Sequence, residues 1–408
     1  MIAKVFKTGN SMALRLPKQT VLRAGFGMNY SVGEYASFAT TMAHQPPFAN
    51  EQTNEVALSP TGTGAPPCAQ TIPVSCFTLG QGFPAPDQVG SYALDPHYTM
   101  PYVEVWSIDV QKTLPWGVVM NIGYNGSKGN HQDITSAPRA TPANPLTNPT
   151  NQVFTYDQNF AFSKLSAGTV RVNKRLTKGI AVGANYQYSH SIDDASSVGG
   201  TGSQVAQNWQ DLQAEESSSS LDIRHQVSGT YLYELPFGKD KFWVTTGTGS
   251  HILEGFSVSG SFNFATGSPL NPTYAASAAN VACGTSGSGR PDLVPGASIS
   301  SGGRSQERWF NPAAFTEPGA VAGYPCAVFG TAARNSIIGP GTITNNMSLS
   351  KTVQMGDTRS MEIRATAANA FNTVQFSGVG TSVTLPTFGQ VTSVGKMRSF
   401  NFLARFRF

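Results

Sequence analysis

Across residues 256–264 the chain changes character at every step. Phe256, Val258, Gly260, Phe262 and Phe264 fall on one side, and Ser257, Ser259, Ser261 and Asn263 on the other. An extended strand keeps two such sets apart because successive side chains leave opposite faces, whereas a helix smears them around its circumference. The same period recurs in residues 22–30, 106–112, 118–125, 180–188, 227–235, 347–353, 361–371 and 400–408. Arg171, Asn173 and Arg175 alternate in the same way on a further strand. The count is roughly ten strands of about ten residues, close to the ~9–11 residues that a tilted strand needs to cross a bilayer. In a membrane barrel one face meets lipid and the other the lumen, which is what such alternation provides.

The connections are unequal. Residues 114–117 (Leu-Pro-Trp-Gly), 176–179 (Leu-Thr-Lys-Gly) and 354–357 (Gln-Met-Gly-Asp) read as tight hairpin turns, with glycine available for positive φ. Residues 32–100, 125–151, 191–220 and 267–341 read as long loops rich in Pro, Gly, Ser, Thr and Ala. Short turns at one end and long loops at the other are the asymmetry of an outer-membrane barrel. Loops of that length count against a compact soluble domain. Tyr30, Trp106, Trp116, Tyr124, Tyr186, Tyr188, Tyr231 and Tyr233 gather near strand ends, as interfacial aromatic girdles do.

Composition narrows the class. Only 12% of the 408 residues are charged and 39% are hydrophobic, with 42 glycines. No apolar run approaches the ~18 residues of a membrane helix. A membrane protein with this composition has to be a barrel, since only helices and closed barrels satisfy every backbone group in lipid. The net charge of +4 is too mild, and the basic residues too scattered, to point to nucleic acid. Cys68, Cys76, Cys283 and Cys326 form no C-x-x-C pair and read as loop disulfides or free thiols. Residues 1–18 contain no apolar core of a signal peptide, so the barrel reading expects an export signal elsewhere in a longer protein.

No catalytic constellation is present: there is no H-E-x-x-H, G-x-x-x-x-G-K-[ST], G-x-S-x-G or strand-linked G-x-G-x-x-G. Gly126-Ser127-Lys128-Gly129 has the wrong upstream spacing for a phosphate loop and is placed at a strand end. His97, His190 and His225 stand apart from one another. Glu215-Glu216 beside Asp211, and Asp193-Asp194 after His190, are expected to be solvated loop acids, with weak cation binding as the alternative. The chain is therefore expected not to be an enzyme and to need no cofactor or metal. Arg171 and Arg175 on one strand, and Glu362 and Arg364 on another, are candidate lumen-facing charges, either simply solvated or paired with each other or a plug.

Several segments resemble, in order, the C-terminal barrel of TonB-dependent-receptor-like outer-membrane proteins of the Oar-like group, which carry a carboxypeptidase-regulatory-like N-terminal domain. They are "YVEVWSIDV" with "LPWGVVMNIGYNGSKG" (from Tyr102), "RPDLVPG" (from Arg290), "WFNPAAF" (from Trp309), "FGTAARNSIIGPG" (from Phe329), "NMSLSK" (from Asn346), "MEIRATAANAFN" (from Met361) and "FGQVTS" (from Phe388). The resemblance covers residues 20–408 and implies an all-β fold, the C-terminal portion of an antiparallel transmembrane barrel. It also implies a receptor or transporter energised through TonB, in which a ~22-stranded barrel encloses an N-terminal plug. The plug, the TonB contact and the regulatory-like domain are expected in an N-terminal region outside this sequence. The implied partners are outer-membrane lipid, the barrel assembly machinery and an unidentified ligand. A surface or adhesive β-protein without transport is the second reading, on the strength of the long Ser/Thr/Gly loops.

Residues 1–19 read as a separate segment. "MIAKVFKTGNSMALRLPK" resembles the opening of AbrB/MazE-type antitoxins, whose swapped hairpins bind DNA. That resemblance implies Lys4, Lys7, Arg15 and Lys18 as phosphate contacts; the alternative is a fused remnant without a function of its own. At the other end, Phe400, Phe402, Ala404, Phe406 and Phe408 form one apolar face, against Asn401, Leu403, Arg405 and Arg407. A last strand with a terminal aromatic resembles the signal read by the barrel assembly machinery, so Phe400, Phe402, Phe406 and Phe408 are candidate assembly-signal residues.

Overall fold

The computed structural model describes residues 4–8, 11–16, 20–31, 34–44, 91–136, 154–195, 207–208, 211–238, 241–273, 289–319, 329–356 and 358–408. Twelve strands follow one another in chain order across a single sheet. They are β1 (Lys4–Thr8), β2 (Ser11–Leu16), β3 (Thr20–Tyr30), β4 (Tyr102–Thr113), β5 (Val118–Ser136) and β6 (Phe154–Thr177). Then come β7 (Ile180–Asp193), β8 (His225–Glu234), β9 (Phe256–Ala265), β10 (Thr342–Gln354), β11 (Ser360–Ala368) and β12 (Ser399–Arg407). Every neighbouring pair is antiparallel. The segment before residue 17 and the strand after residue 19 belong to one sheet, since β2 pairs with β3 along Leu16↔Thr20 to Ser11↔Gly25. All four cysteines lie outside the described residues.

Register carries the alternation from strand to strand. Ala24, Ile108, Tyr124 and Gly168 stand opposite one another in β3 to β6, and Gly168 faces Tyr188. Further along, Val227, Phe264 and Ile343 align, and so do Leu349, Ala365 and Phe402. A slip of one residue would turn each strand's apolar set to the polar side, so one continuous apolar face fixes the register of the whole sheet. Large and small residues alternate across that face. A Cβ on Gly126 would fall 2.3 Å from the Trp106 ring, so the glycine is what lets the indole lie flat over the neighbouring strand.

At one end the hairpins are tight. Lys178 (φ 53°) and Gly179 (φ 78°) both adopt positive φ, the type I′ geometry that matches strand twist. Trp116 (φ 60°) and Gly117 (φ 73°) do the same between β4 and β5. One connection at this end departs from the expected asymmetry: residues 235–255 are long and contain a helix, α2 (Thr248–Leu253), whereas α1 (Glu34–Ala43) lies in the connection between β3 and β4. At the other end the strands outrun the sequence expectation. β5 continues to Ser136, so residues 125–136 are wall and not loop, and Gly126–Gly129 lies within a strand. β6 has 24 residues, far more than a crossing needs, so the β5–β6 wall stands well above the bilayer. Two short strands, Ser91–Leu94 and Ser217–Ser218, pair with β6 and β7 at this end. β11 stops at Ala368 and not at Phe371. Asn369 takes φ 50°, its side-chain amide N–H donates to the Thr373 carbonyl (2.9 Å), and its side-chain oxygen accepts from the Thr373 N–H (2.9 Å).

The long connections at that end are not loose. Trp309, Phe310, Ala314, Phe315, Ala332 and Ile337 form a buried core, against which Phe376, Val379, Phe388 and Val391 pack. Phe310, Phe315 and Phe388 meet edge to face at 5.0–5.8 Å, and Trp309 meets Phe376 at 5.9 Å. The Trp309 indole N–H donates to the Ile338 carbonyl at 2.9 Å, which satisfies its polar end. This cap draws on Leu270, on residues from Leu293 to Phe315, on Ala332 and Ile337, and on residues from Phe376 to Val391, hence on the connections that follow β9 and β11.

The two faces make a direct prediction. Phe262→Arg, near the middle of β9 on the apolar face, should lower folding stability in lipid by about 2–4 kcal/mol, whereas Ser261→Arg beside it should cost far less. Denaturant titration of the protein folded into vesicles measures both, and equal penalties would contradict the assignment of faces.

Candidate functional site

The polar face carries the charges that can act on a solute. Arg171 lies on β6 and its Nε donates to the Asn185 side chain at 3.2 Å. Arg175, two residue pairs further, lines a groove of about 760 Å³ together with Asn173, Thr230, Ser259, Asn346 and Thr366. That groove crosses β6 to β11, and hydroxyl and amide side chains supply about half of its lining residues. Glu362 and Arg364 lie two apart on β11, and the Arg364 Nε donates to the Glu362 carboxylate at 3.0 Å. Four strands separate these two pairs, so the structure joins Glu362 to Arg364 but does not bring Arg171 or Arg175 to them. Arg23 adds a further pair on the same face, 3.1 Å from Asp109 and bonded to Gln111 at 2.6 Å. Arg405 stands opposite Glu362 on β12.

Phe400, Phe402 and Phe406 sit on the apolar face of β12, opposite Ala367, Ala365 and Met361. Phe408 follows the strand, is 94% exposed, and lies 6.3 Å from the Phe406 ring. Among the described residues β12 pairs only with β11, and β1 only with β2, so both sheet edges are open.

A second cluster lies at the long-loop end, where solvated acids were expected. Glu215 and Arg290 are buried instead, 3% and 7% exposed at their side chains, and their charged atoms meet at 2.5 Å. Asp211 caps the short 3-10 turn Leu212–Glu215 by accepting from the Ala214 N–H at 3.3 Å, which presents Glu215 inward. Gln207 closes the circuit. Its backbone N–H donates to Glu215 (2.9 Å), its side-chain oxygen accepts from the Arg290 N–H (2.7 Å), and its amide donates to the Gly330 carbonyl (2.9 Å). Arg334 ties this unit to the wall, donating to the Glu215 carbonyl at 2.9 Å and to the Asp193 carboxylate at 2.5 Å. Asp193 and Asp194 are likewise buried and not solvated. The acids escape solvent because each is matched by a guanidinium or a backbone N–H, the condition under which burial of charge is tolerated. Among the described residues no cluster of His, Cys, Asp and Glu has the composition of a metal site.

Asp194 is the odd member. Its carboxylate accepts from the Phe162 N–H at 2.9 Å, but burial pushes its pKa up to about 6 against that hydrogen bond and the nearby Arg334. Asp157, on the raised part of β6, is also pushed up by burial, with the Tyr92 hydroxyl (2.9 Å) partly offsetting the shift. No local sequence signal distinguished Glu215, Arg290 and Arg334, because their partners lie 75 and 141 positions away.

Comparison with known proteins decides the class. The outer membrane beta barrel domain matches residues 10–401. The chain belongs to that family. It is an outer-membrane β-barrel protein, with its apolar face toward lipid. No curated protein matches it. Among solved structures it is similar to the outer membrane transporter YddB from Escherichia coli, at 10% identity and a TM-score of 0.48, over 98% of this chain and 40% of that one. It is also similar to the ferric-catecholate import receptor Fiu from E. coli K12 (10% identity, TM-score 0.43, 98% of this chain, 34% of that one). The siderophore receptor PiuA from Acinetobacter baumannii gives 8% identity and a TM-score of 0.43, over 98% and 35%. The chain thus spans well under half the length of these three structures.

Two outcomes follow from the buried cluster. Glu215→Ala leaves Arg290 buried without its counter-ion and should loosen the cap by about 3–5 kcal/mol, while a paired apolar replacement of both residues restores most of that loss. Limited proteolysis of the assembled protein reads the difference, and an unchanged cleavage rate in the single variant would contradict the clasp. Asp194 keeps its proton in the folded state up to about pH 6, but only to about 3.8 when unfolded, so its contribution to stability is greatest in acid and falls as pH rises through that window. Asp194→Asn should therefore raise the thermal midpoint at neutral pH and leave it unchanged below about pH 4. A variant that destabilises equally at both pH values would refute the assignment.

Proposed function

We propose that this chain is the C-terminal portion of the barrel of an outer-membrane receptor-transporter energised through TonB, and that it acts by binding and passage of a solute, not by catalysis. The observation that carries this reading is the two-faced sheet with both edges open: an apolar face, an arginine- and hydroxyl-bearing polar face, and edge strands β1 and β12, each paired on one side only among the described residues. Unpaired backbone along two edges costs several kcal/mol per group in hydrocarbon, so further strands of the same protein complete the barrel. The Oar-like segments support the reading in a second way. "RPDLVPG", "WFNPAAF", "FGTAARNSIIGPG" and "FGQVTS" all contribute to one extracellular cap, although up to about a hundred residues separate them.

In the complete protein the polar face surrounds the plug, and Arg171, Arg175, Glu362 and Arg364 face it across the lumen. TonB engages the N-terminal region, and the barrel assembly machinery reads β12 with Phe400, Phe402, Phe406 and Phe408. The ligand is unidentified. A surface or adhesive role without transport is the second reading, favoured by the dense packing of the cap around Trp309 and Phe310.

Uptake assays in a deletion strain separate the two. A solute whose uptake is lost on deletion, restored by the gene and abolished by loss of TonB supports transport. Wild-type uptake of every tested solute together with lost surface adhesion supports the second reading. Deletion of Phe408 should lower the amount of assembled barrel at the cell surface, measured by protease accessibility, and unchanged surface levels would count against the assembly-signal role.

A further inference from the structure

The connection between β8 and β9, residues 235–255, breaks the economy of the short-turn end. It carries Phe242, Trp243 and Ile252 at 82%, 53% and 59% exposure, with Val244 and Leu253 also exposed. Rings this open to water need a covering surface, and the fold shows which side that surface is on. Lys351 belongs to the apolar face of β10, opposite Phe256 and Ile363. Its ammonium sits 5.1 Å from the Phe256 ring centre and donates to the Ile252 carbonyl at 2.5 Å. The last turn of α2 is therefore held against the lipid-facing side of the wall. The ladder also continues into the segment, since the Leu235 N–H donates to the Phe256 carbonyl at 2.9 Å and the Trp243 N–H to the Pro236 carbonyl at 2.9 Å.

Depth follows from length. β9 has ten residues, about what a strand needs to cross the hydrocarbon, so the hydrocarbon boundary falls near Phe256 and the segment below it lies at headgroup level. Lys351 at that boundary directs its ammonium down toward the helix end, as a long basic side chain does at an interface.

We propose that residues 235–238 and 241–255 form a foot that rests in the phospholipid headgroup layer of the periplasmic leaflet, with Phe242, Trp243, Val244, Ile252 and Leu253 set against the top of the acyl chains. The foot is continuous with the lipid-facing wall that the family assignment establishes, and it does not depend on whether the barrel transports. Indole and phenyl rings favour this layer because one part of it is apolar and the other wet. The Lys241–Glu234 pair (3.0 Å) holds the start of the foot to the end of β8.

The experiment uses the assembled protein in vesicles of phosphatidylethanolamine and phosphatidylglycerol, comparing wild type with Trp243→Phe. Their difference in emission reports Trp243. A nitroxide at the top of the acyl chain should quench that difference several-fold more than one at the chain end, and aqueous iodide should quench it little. Quenching by iodide with indifference to either nitroxide would overturn the proposal. So would indifference to all three quenchers, which would mean that protein covers the foot. If Trp243→Phe fails to assemble, Phe242→Trp gives the same readout by gain, as a new emission component with the same quenching order.

Discussion

In hydrocarbon a backbone N–H or C=O that lacks a partner has no water to bond, and each such group costs several kcal/mol. The ladder that runs from β1 to β12 meets this requirement strand by strand, and the rest of the molecule follows from it. A continuous ladder fixes register, and register sends one set of side chains to lipid and the other to the polar side. Where a ring such as Trp106 has to lie across a neighbour, the neighbour is a glycine, Gly126. The turns at one end take the geometry that the ladder's twist allows, with Lys178 and Gly179 both at positive φ.

At the long-loop end water is available again and the constraint changes. There the chain builds a conventional core around Trp309, Phe310 and Phe388, and uses buried ion pairs to tie it to the wall. Arg334 joins the cap to Asp193, the last residue of β7, so movement of the cap and of that strand end are mechanically linked. Ion pairs of this kind add little to stability over a well-packed apolar contact, but they are costly to break one partner at a time. They therefore hold the cap in one arrangement. Asp194 beside them, its pKa pushed up to about 6 by burial, makes that arrangement firmest in acid and weaker as the pH rises.

The function proposed here depends on the same division. A face of serine, threonine, asparagine and arginine suits contact with water, a plug or a polar solute, and a face of phenylalanine, valine and leucine suits lipid. Among the described residues the outer edges of β1 and β12 are unpaired, and neither can rest in lipid in that state.

Period-two alternation was enough to read ten of the wall strands, their two faces, the tight turns at residues 114–117 and 176–179, and the closing strand with its phenylalanines, because all of these are local. Strand length was less legible: β5 runs to Ser136 through Gly126-Ser127-Lys128-Gly129, where the local pattern is polar and glycine-rich and pairing with β4 on one side and β6 on the other keeps the chain extended. The sequence could supply the alternating residues of each strand but not which distant charges would meet. Glu215 and Asp193 looked like solvated loop acids because nothing nearby in the chain neutralises them; Arg290 and Arg334 arrive from 75 and 141 residues away, and only the tertiary fold brings them in. The same reason separates the charges of the polar face. Alternation placed Arg171, Arg175, Glu362 and Arg364 on lumen-type positions and set Glu362 beside Arg364 on one strand, while the order of strands put four strands between that pair and Arg171 and Arg175.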